Sequence, residues 1–286
     1  MIEELYRQGK TRTAETYQAS LNSFKNFRNG EDIALKRIDA ELIDHFQSWQ
    51  TARGISLNTI SFYNRILRAS YNRGVEMGLM ENLHPFRNAY TGIGKTIKRS
   101  LPLSVIKKIK NIDLPDEPHL DFARDMFILS FMLRGMSFID MAFLKKKDFR
   151  GEYIFYHRRK TGQQLAVKWT KEMQVIVNKY PQNPTEYFLP IITKQGLNER
   201  YVYKKQGELI NKGLKEIATR LNLLTPLSMY VARHSWASIA KDQGVPLSVI
   251  SESLGHDNES TTRIYLSSLD IGKIDQANRR ILSKLG

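Results

Sequence analysis

The sequence predicts a mainly α-helical protein with one small β-hairpin or sheet, organised in two parts. Three observations carry this reading: helical spacing of apolar residues through the first part, a lapse of that spacing near residue 100, and a second helical run interrupted by a single β-rich stretch. At 286 residues the chain has room for two domains with separate cores, and 41% hydrophobic with 26% charged residues is an ordinary globular balance.

The first part reads as helices separated by short polar breaks. "TAETYQASLNSFKNFRNG" sets Tyr17, Leu21, Phe24 and Phe27 near helical spacing and stops at Gly30, and "DAELIDHFQSWQTARG" repeats the pattern and stops at Gly54. "SLNTISFYNRILRASYNRGVEMGLM" carries Ile60, Tyr63, Ile66 and Leu67 on one face with Arg65, Arg68 and Arg73 interleaved. That mixture of cations and aromatic rings suits a nucleic-acid surface, and a solvated helix face equally well. After "ENLHPF" the periodicity lapses through "RNAYTGIGKTIKRSLPLS", whose glycines, proline and positive charges mark a linker ending near Pro102.

The second part opens with helices up to "AFLKKKDF". In "EYIFYHRRKTGQQLAVKW", tyrosine, isoleucine, phenylalanine and valine flank a Thr-Gly turn, which reads as a β-hairpin. Helical patterns resume in "YVARHSWASIAKDQG", "PLSVISESLG" and "STTRIYLSSL", with no solenoid repeat or low-complexity tract.

Composition narrows the classes. Lysine and arginine number 44 against 29 acidic residues, a net charge of +15 that attracts a polyanion, nucleic acid first among them; a solubilising surface charge is the plain alternative. Before Arg99 there are 14 basic and 10 acidic residues, and from it onward 30 and 19, so most of the excess sits in the second part. The chain has no cysteine, which excludes disulfides and thiolate zinc sites. No apolar run reaches a membrane span and "MIEELYRQGK" lacks the core of a signal peptide, so a cytoplasmic protein is expected.

Four stretches can carry chemistry. In "LGHDNESTTRIYL", Gly255 is placed as the left-handed cap of the helix begun at Pro246, leaving His256 in the following loop and Tyr265 about two turns into the next helix. The two rings either converge on a site or serve as a capping histidine beside a buried tyrosine. In "MYVARHSWAS", Arg233 sits among Val231, Ala232, Trp236 and Ile239 with no acidic residue within a turn; a phosphate or a distant carboxylate would answer its charge. In "FILSFMLRGMSFIDMAFL", a break at Gly135 places Arg134 at one helix end and Ser137 as the next N-cap, with Asp140 completing a near capping box. "RRKTGQQ" puts Arg158, Arg159 and Lys160 at a hairpin tip, where a flexible ammonium can meet a phosphate or leaving group.

Taken in order, these pieces resemble the tyrosine recombinase, or phage integrase, family over nearly the whole chain, most specifically in "LGHDNESTTRIY" preceded by "ARHSWAS". The resemblance implies a helical core-binding (SAM-like) DNA-binding domain at 1–90, a linker at 91–102 and an α+β tyrosine-recombinase catalytic domain at 103–286. It implies Tyr265 as nucleophile, Arg233 and His256 as phosphate-binding or proton-handling groups, and Lys160 as general acid, with neither metal nor cofactor. Two positions depart from the family pattern. Tyr230 stands where the family has histidine three residues before the second arginine; a phenol is no base near pH 7 but can donate a hydrogen bond to phosphate. Ser137 stands at the usual first-arginine position, and Arg134, one helical turn earlier, is expected to supply the missing charge.

The implied reaction is site-specific recombination through a 3′-phosphotyrosyl bond, inverting or integrating a DNA segment. Its implied partner is double-stranded DNA with inverted-repeat recombination sites, bound by a homotetramer on paired sites, with room for an accessory DNA-bending protein. Because the core-binding pattern begins almost at the N-terminus, a bacterial invertase or mobile-element integrase without an arm-binding domain is expected. The tail "DIGKIDQANRRILSKLG", with Ile271, Ile274, Ala277 and Ile281 at helical spacing, suits docking on a neighbouring protomer or on its own domain. The competing readings are a catalytically silent DNA-binding protein of the same fold and a type IB topoisomerase-like nicking-resealing enzyme.

Overall fold

The computed structural model describes residues 1–94, 100–194, 198–266 and 283, with only the backbone of Ile264 and Tyr265. The expected docking tail, 270–286, lies outside the described residues apart from Ser283, and so does the middle of the expected linker, 95–99. The chain divides into two compact units, Met1–Ile97 and Lys98–Gly286.

The first unit is built from α1 (Ile2–Arg7), α2 (Thr11–Phe27), α3 (Ala40–Ala52) and α4 (Leu57–Glu76). Asp39 and Ser56 start α3 and α4 by accepting bonds from the Leu42 and Thr59 backbone N–H groups, which would otherwise be orphaned. Phe24, Phe27, Phe46 and Trp49 form a tilted and edge-on aromatic cluster, and Ile38, Ile43, Tyr71 and Phe86 pack beside α4. Apolar spacing located the helices but not every buried face. Leu21 is exposed while Ser20 is buried, and α4 buries Ser61 and Asn64. The Asn64 amide nitrogen is satisfied there, donating to Gln47 Oε1 at 2.9 Å and to the Tyr90 carbonyl at 3.0 Å.

The second unit is organised around α6 (Pro118–Met132), which follows α5 (Leu103–Lys110). Pro118 suits the first turn of α6, where its missing N–H is no loss, and Leu120, Ala123, Met126, Phe127 and Leu129 are fully buried. Each of the larger side chains contributes roughly 1.5–3 kcal/mol by leaving water. Short α7 (Phe138–Ala142) leads to the strands β1 (Phe149–Arg150), β2 (Tyr153–His157) and β3 (Gln164–Lys168), then α8 (Lys171–Val177). The expected hairpin is present and gains the two-residue β1, giving an antiparallel sheet of order β1-β2-β3 with Ile154 opposite Val167 and Tyr156 opposite Leu165. Those four residues are buried while their neighbours along β3 are exposed, the alternation of a sheet covered on one face. The long α9 (Glu199–Arg220) and α10 (Met229–Asp242) pack against α6, and α11 (Leu247–Leu254) and α12 (Glu259–Leu266) close the unit. Among the described residues, no helix is long and apolar enough to cross a membrane.

Candidate active site

Four backbone features converge on Arg233. The first is the turn after α6, where Arg134 and Gly135 both adopt left-handed backbone conformations, φ 58° and 72°. The turn is fastened by Gly135 N–H donating to the Ser130 carbonyl at 2.8 Å and by Ser130 Oγ donating to the Met136 carbonyl at 2.8 Å. It aims the Gly135 carbonyl at α10, where it accepts a bond from Arg233 Nη1 at 2.8 Å.

The second is the C-terminus of α11. Gly255 takes the expected left-handed cap, φ 63°, and the helix end leaves the Leu254 carbonyl facing Arg233 Nη2 and the Gly255 carbonyl facing Arg158 Nη1. Two buried guanidiniums, 5% and 7% exposed, thus share one helix C-terminus, whose unsatisfied carbonyls and negative dipole end suit cations. This answers the absence of an acidic residue near Arg233 in sequence: backbone oxygen accompanies it.

The third feature is the loop His256 occupies. Its Nε2 lies 3.3 Å from Arg233 Nη2 and its Nδ1 lies 2.7 Å from Thr262 Oγ1. Guanidinium N–H groups only donate, so the nitrogen facing Arg233 is the lone-pair side and Nδ1–H donates to the threonine. Thr262 is fully buried on α12, three residues before Tyr265, so the imidazole ties Arg233 to the helix that carries the tyrosine. The Tyr265 side chain lies outside the described residues.

Burial, and then the charges of Arg233, Arg158 and Lys160, push the His256 imidazole down to about 4 from its ordinary 6.5. It is neutral at physiological pH. Because the folded imidazole holds its proton less tightly than the unfolded one, it contributes stability that is fully present above pH 6.5 and is lost as pH falls through about 4. An NMR titration of the His256 ring is expected to show a midpoint near 4 in the DNA-free protein; a midpoint near 6.5 would contradict this environment.

The fourth feature is the hairpin. Lys160 is exposed at its tip, and its charge reaches His256. Arg158, expected at the tip with Arg159 and Lys160, instead turns inward. Ser137 and Asp140 also differ from the expected capping box: no side-chain cap bond forms at Ser137, whose Oγ donates to Asp140 Oδ2 at 2.5 Å. The other carboxylate oxygen accepts from Arg159 N–H at 2.9 Å, so Asp140 anchors the hairpin rather than α7.

Arg134 lies at the outer edge of the sheet, where Nη1 donates to the Ala166 carbonyl of β3 at 3.3 Å, in a groove also lined by Phe155, Gln164, Val249 and Glu252. It shares one neighbour with the centre. The Tyr156 phenol, raised above its usual range by burial and by Asp140, is drawn back by Arg233, Arg158 and Arg134 together. Tyr230 projects into solvent from the first turn of α10, edge-on to His234 with 4.4 Å between ring centroids. The structure therefore joins Arg233, His256, Lys160 and the α12 backbone, and sets Arg134 and Tyr230 at the periphery. Arg158, Asp140 and Thr262 were not singled out for these contacts by sequence.

A buried arginine, a neutral imidazole tied to a tyrosine-bearing helix and a lysine on an adjoining turn are groups that can bind a phosphate and carry its protons. Comparisons with known proteins give the family. The phage integrase SAM-like domain matches residues 1–91, and the phage integrase family matches residues 123–270. Tyrosine recombinase XerC of Thermodesulfovibrio yellowstonii is 26% identical over 263 residues, covering 88% of this chain and 85% of the relative. A lambda integrase(75-356) dimer bound to a COC' core site superposes with a TM-score of 0.69 at 16% identity, covering 93% of this chain and 92% of that one. A lambda integrase tetramer bound to a Holliday junction gives 0.64 at 16% identity, covering 89% and 71%. The chain belongs to the phage integrase family. It is a tyrosine site-specific DNA recombinase, and neither the silent DNA-binding nor the topoisomerase-like alternative is favoured.

Proposed function

We propose that this recombinase acts on double-stranded DNA carrying inverted-repeat sites, as a homotetramer on paired sites, through a 3′-phosphotyrosyl intermediate on Tyr265. The observation that carries the reading is the chain of contacts from Arg233 through His256 to Thr262, one turn before Tyr265 on α12. The lambda integrase tetramer on a Holliday junction supports the assembly. The net charge of +15 supports the polyanionic partner.

In the first step the Tyr265 oxygen forms a bond to phosphorus, the bond from phosphorus to the 5′-oxygen breaks, and Lys160 gives its proton to that oxygen. The phenol proton passes to His256. An ordinary tyrosine is only about one part in a thousand ionised at neutral pH, so this acceptor matters. An arriving phosphodiester anion offsets the charges of Arg233 and Arg158 and raises the imidazole toward its ordinary range, making it a better base as substrate binds. Arg233 donates to the non-bridging oxygens, and Tyr230 adds a phenolic donor from the rim. The covalent bond conserves the phosphodiester's energy, and attack by a second strand's 5′-hydroxyl reverses the step. Two such rounds invert or integrate a segment, and an accessory DNA-bending protein fits the same scheme.

Arg134 supplies the charge missing at Ser137. Its bond to the Ala166 carbonyl is a single long contact of 3.3 Å to a neutral acceptor, whereas a phosphate offers an anion that the guanidinium fork can meet with two parallel bonds, so exchange onto a phosphate is favourable. Arg134→Ala is expected to lose cleavage at least about tenfold while binding is retained. Ser137→Ala, which removes only the bond to Asp140, is expected to cost about 1 kcal/mol of stability. Near-normal cleavage by the Arg134 variant refutes its role.

The reading as a whole is tested by covalent trapping on a nicked duplex that carries the inverted repeats flanking the protein's own coding segment. An adduct that survives denaturation is expected. Its absence on DNA that the protein demonstrably binds would return the silent DNA-binding reading.

A further inference from the structure

We propose that Arg158 is a positioning residue that locks the hairpin bearing Lys160 onto the turn bearing His256, so that the general acid and the phosphate-side imidazole reach the DNA as one unit. The inference rests on the roles given above to Lys160 and His256.

An arginine in the run "RRKTGQQ" at a hairpin end is expected in solvent, yet Arg158 is 7% exposed. Its Nη1 donates to the Gly255 carbonyl, the peptide unit directly before His256. Thr161 Oγ1 donates to the same oxygen at 3.3 Å, so two hairpin residues flanking Lys160 grip one carbonyl. The hairpin loop in turn closes on Arg158 itself: its N–H donates to the Gln163 carbonyl at 2.8 Å, and Gly162 N–H donates to the Arg158 carbonyl at 2.7 Å. Lys160 lies within that closed loop. Asp140 holds the next backbone N–H, that of Arg159, from the opposite side.

The fit is built on both sides of the contact. A Cβ at position 255 would stand 2.9 Å from Arg158 Cδ and 3.0 Å from Leu165 Cδ1, so the guanidinium stem occupies space that only glycine leaves. A lysine ammonium on four methylene groups has little intrinsic order, and its placement within a few tenths of an ångström of a leaving oxygen depends on the turn beneath it. Arg158 is enclosed by that turn and the α11 cap, which makes it a support for Lys160 rather than a substrate contact.

The test uses two forms of the nicked substrate, one with the natural 5′-bridging oxygen at the cleaved bond and one with sulfur there. A thiolate, with a conjugate-acid pKa about 8.5, leaves without protonation, so the sulfur substrate bypasses the general acid. Arg158→Met is expected to cleave the oxygen substrate slower by about 30-fold or more, a loss in the range of general-acid contributions, and the sulfur substrate within about threefold of wild type. Thermal stability and DNA binding are measured on the same preparations. If Arg158→Met does not fold, Arg158→Lys, which keeps a charge and loses the fork, is expected to show the same selective loss in smaller degree. Equal losses on both substrates by a folded variant, or no loss on either, would overturn the proposal. Lys160→Ala is the control for the underlying reading: if it too is slowed equally on both substrates, the general-acid role of Lys160 has failed, and not the positioning role of Arg158.

Discussion

Tyr265→Phe is expected to abolish covalent capture of DNA while leaving specific binding unchanged. The substitution removes one oxygen and keeps the ring, so the net charge of +15 and the phosphate contacts that set affinity are untouched. What it removes is the only atom of that side chain able to bond to phosphorus. Loss of a nucleophile in a covalent mechanism costs roughly 10⁴- to 10⁶-fold in rate, enough to take the adduct below detection on a denaturing gel. Position 265 is favoured over Tyr230, the other tyrosine given a role in the reaction, on geometry. Tyr265 is one turn beyond Thr262, which the His256 ring holds, whereas Tyr230 is 58% exposed on the outer turn of α10. An adduct that persists in Tyr265→Phe and disappears in Tyr230→Phe would reverse the assignment. Persistence in both would place the nucleophile elsewhere in the chain.

The parts of this site legible in the sequence were those fixed by local rules. A glycine after a short apolar helix names a left-handed cap, and Gly255 adopts it. An arginine in an apolar helical stretch implies burial, and Arg233 is buried. What stayed hidden is non-local. Every residue has a carbonyl, so nothing in the sequence distinguishes Gly135, Leu254 and Gly255 as the ones that accept from buried guanidiniums. Arg158 was hidden because a tight hairpin end has no periodicity from which an inward face could be read, and three successive cations look like solvated surface. Asp140 satisfied a helix-capping pattern in sequence, yet its carboxylate holds a strand turn brought to it by the sheet. The same limit applied in the first unit, where the buried faces of α2 and α4 include Ser20, Ser61 and Asn64 that a search for apolar spacing passes over.

Gly135→Ala is expected to be the most damaging single-methyl change in the second unit. Two costs add. At φ 72° an alanine bears the strain of the left-handed region, about 1–2 kcal/mol. Its Cβ would also stand 2.7 Å from Arg233 Cα, which is backbone and cannot rotate aside. Relief requires α10 to shift against α6, the core helix it packs on, and overpacking of this kind costs about 1–3 kcal/mol more. The total of roughly 2–5 kcal/mol lowers Tm by about 4–20 °C for a unit of this size. The remaining folded protein is expected to cleave poorly, because the displaced turn carries the carbonyl that orients Arg233. Gly244→Ala separates the two costs. Gly244 has a similar φ of 78° at the end of α10, with nothing within 4 Å of the added Cβ, so it bears the strain without the clash and is expected to lose only about 1–2 kcal/mol and no cleavage activity. Equal destabilisation by the two substitutions would mean that the close approach of Arg233 is not what requires glycine at 135. The argument that this turn and Arg233 are built for each other would then fall.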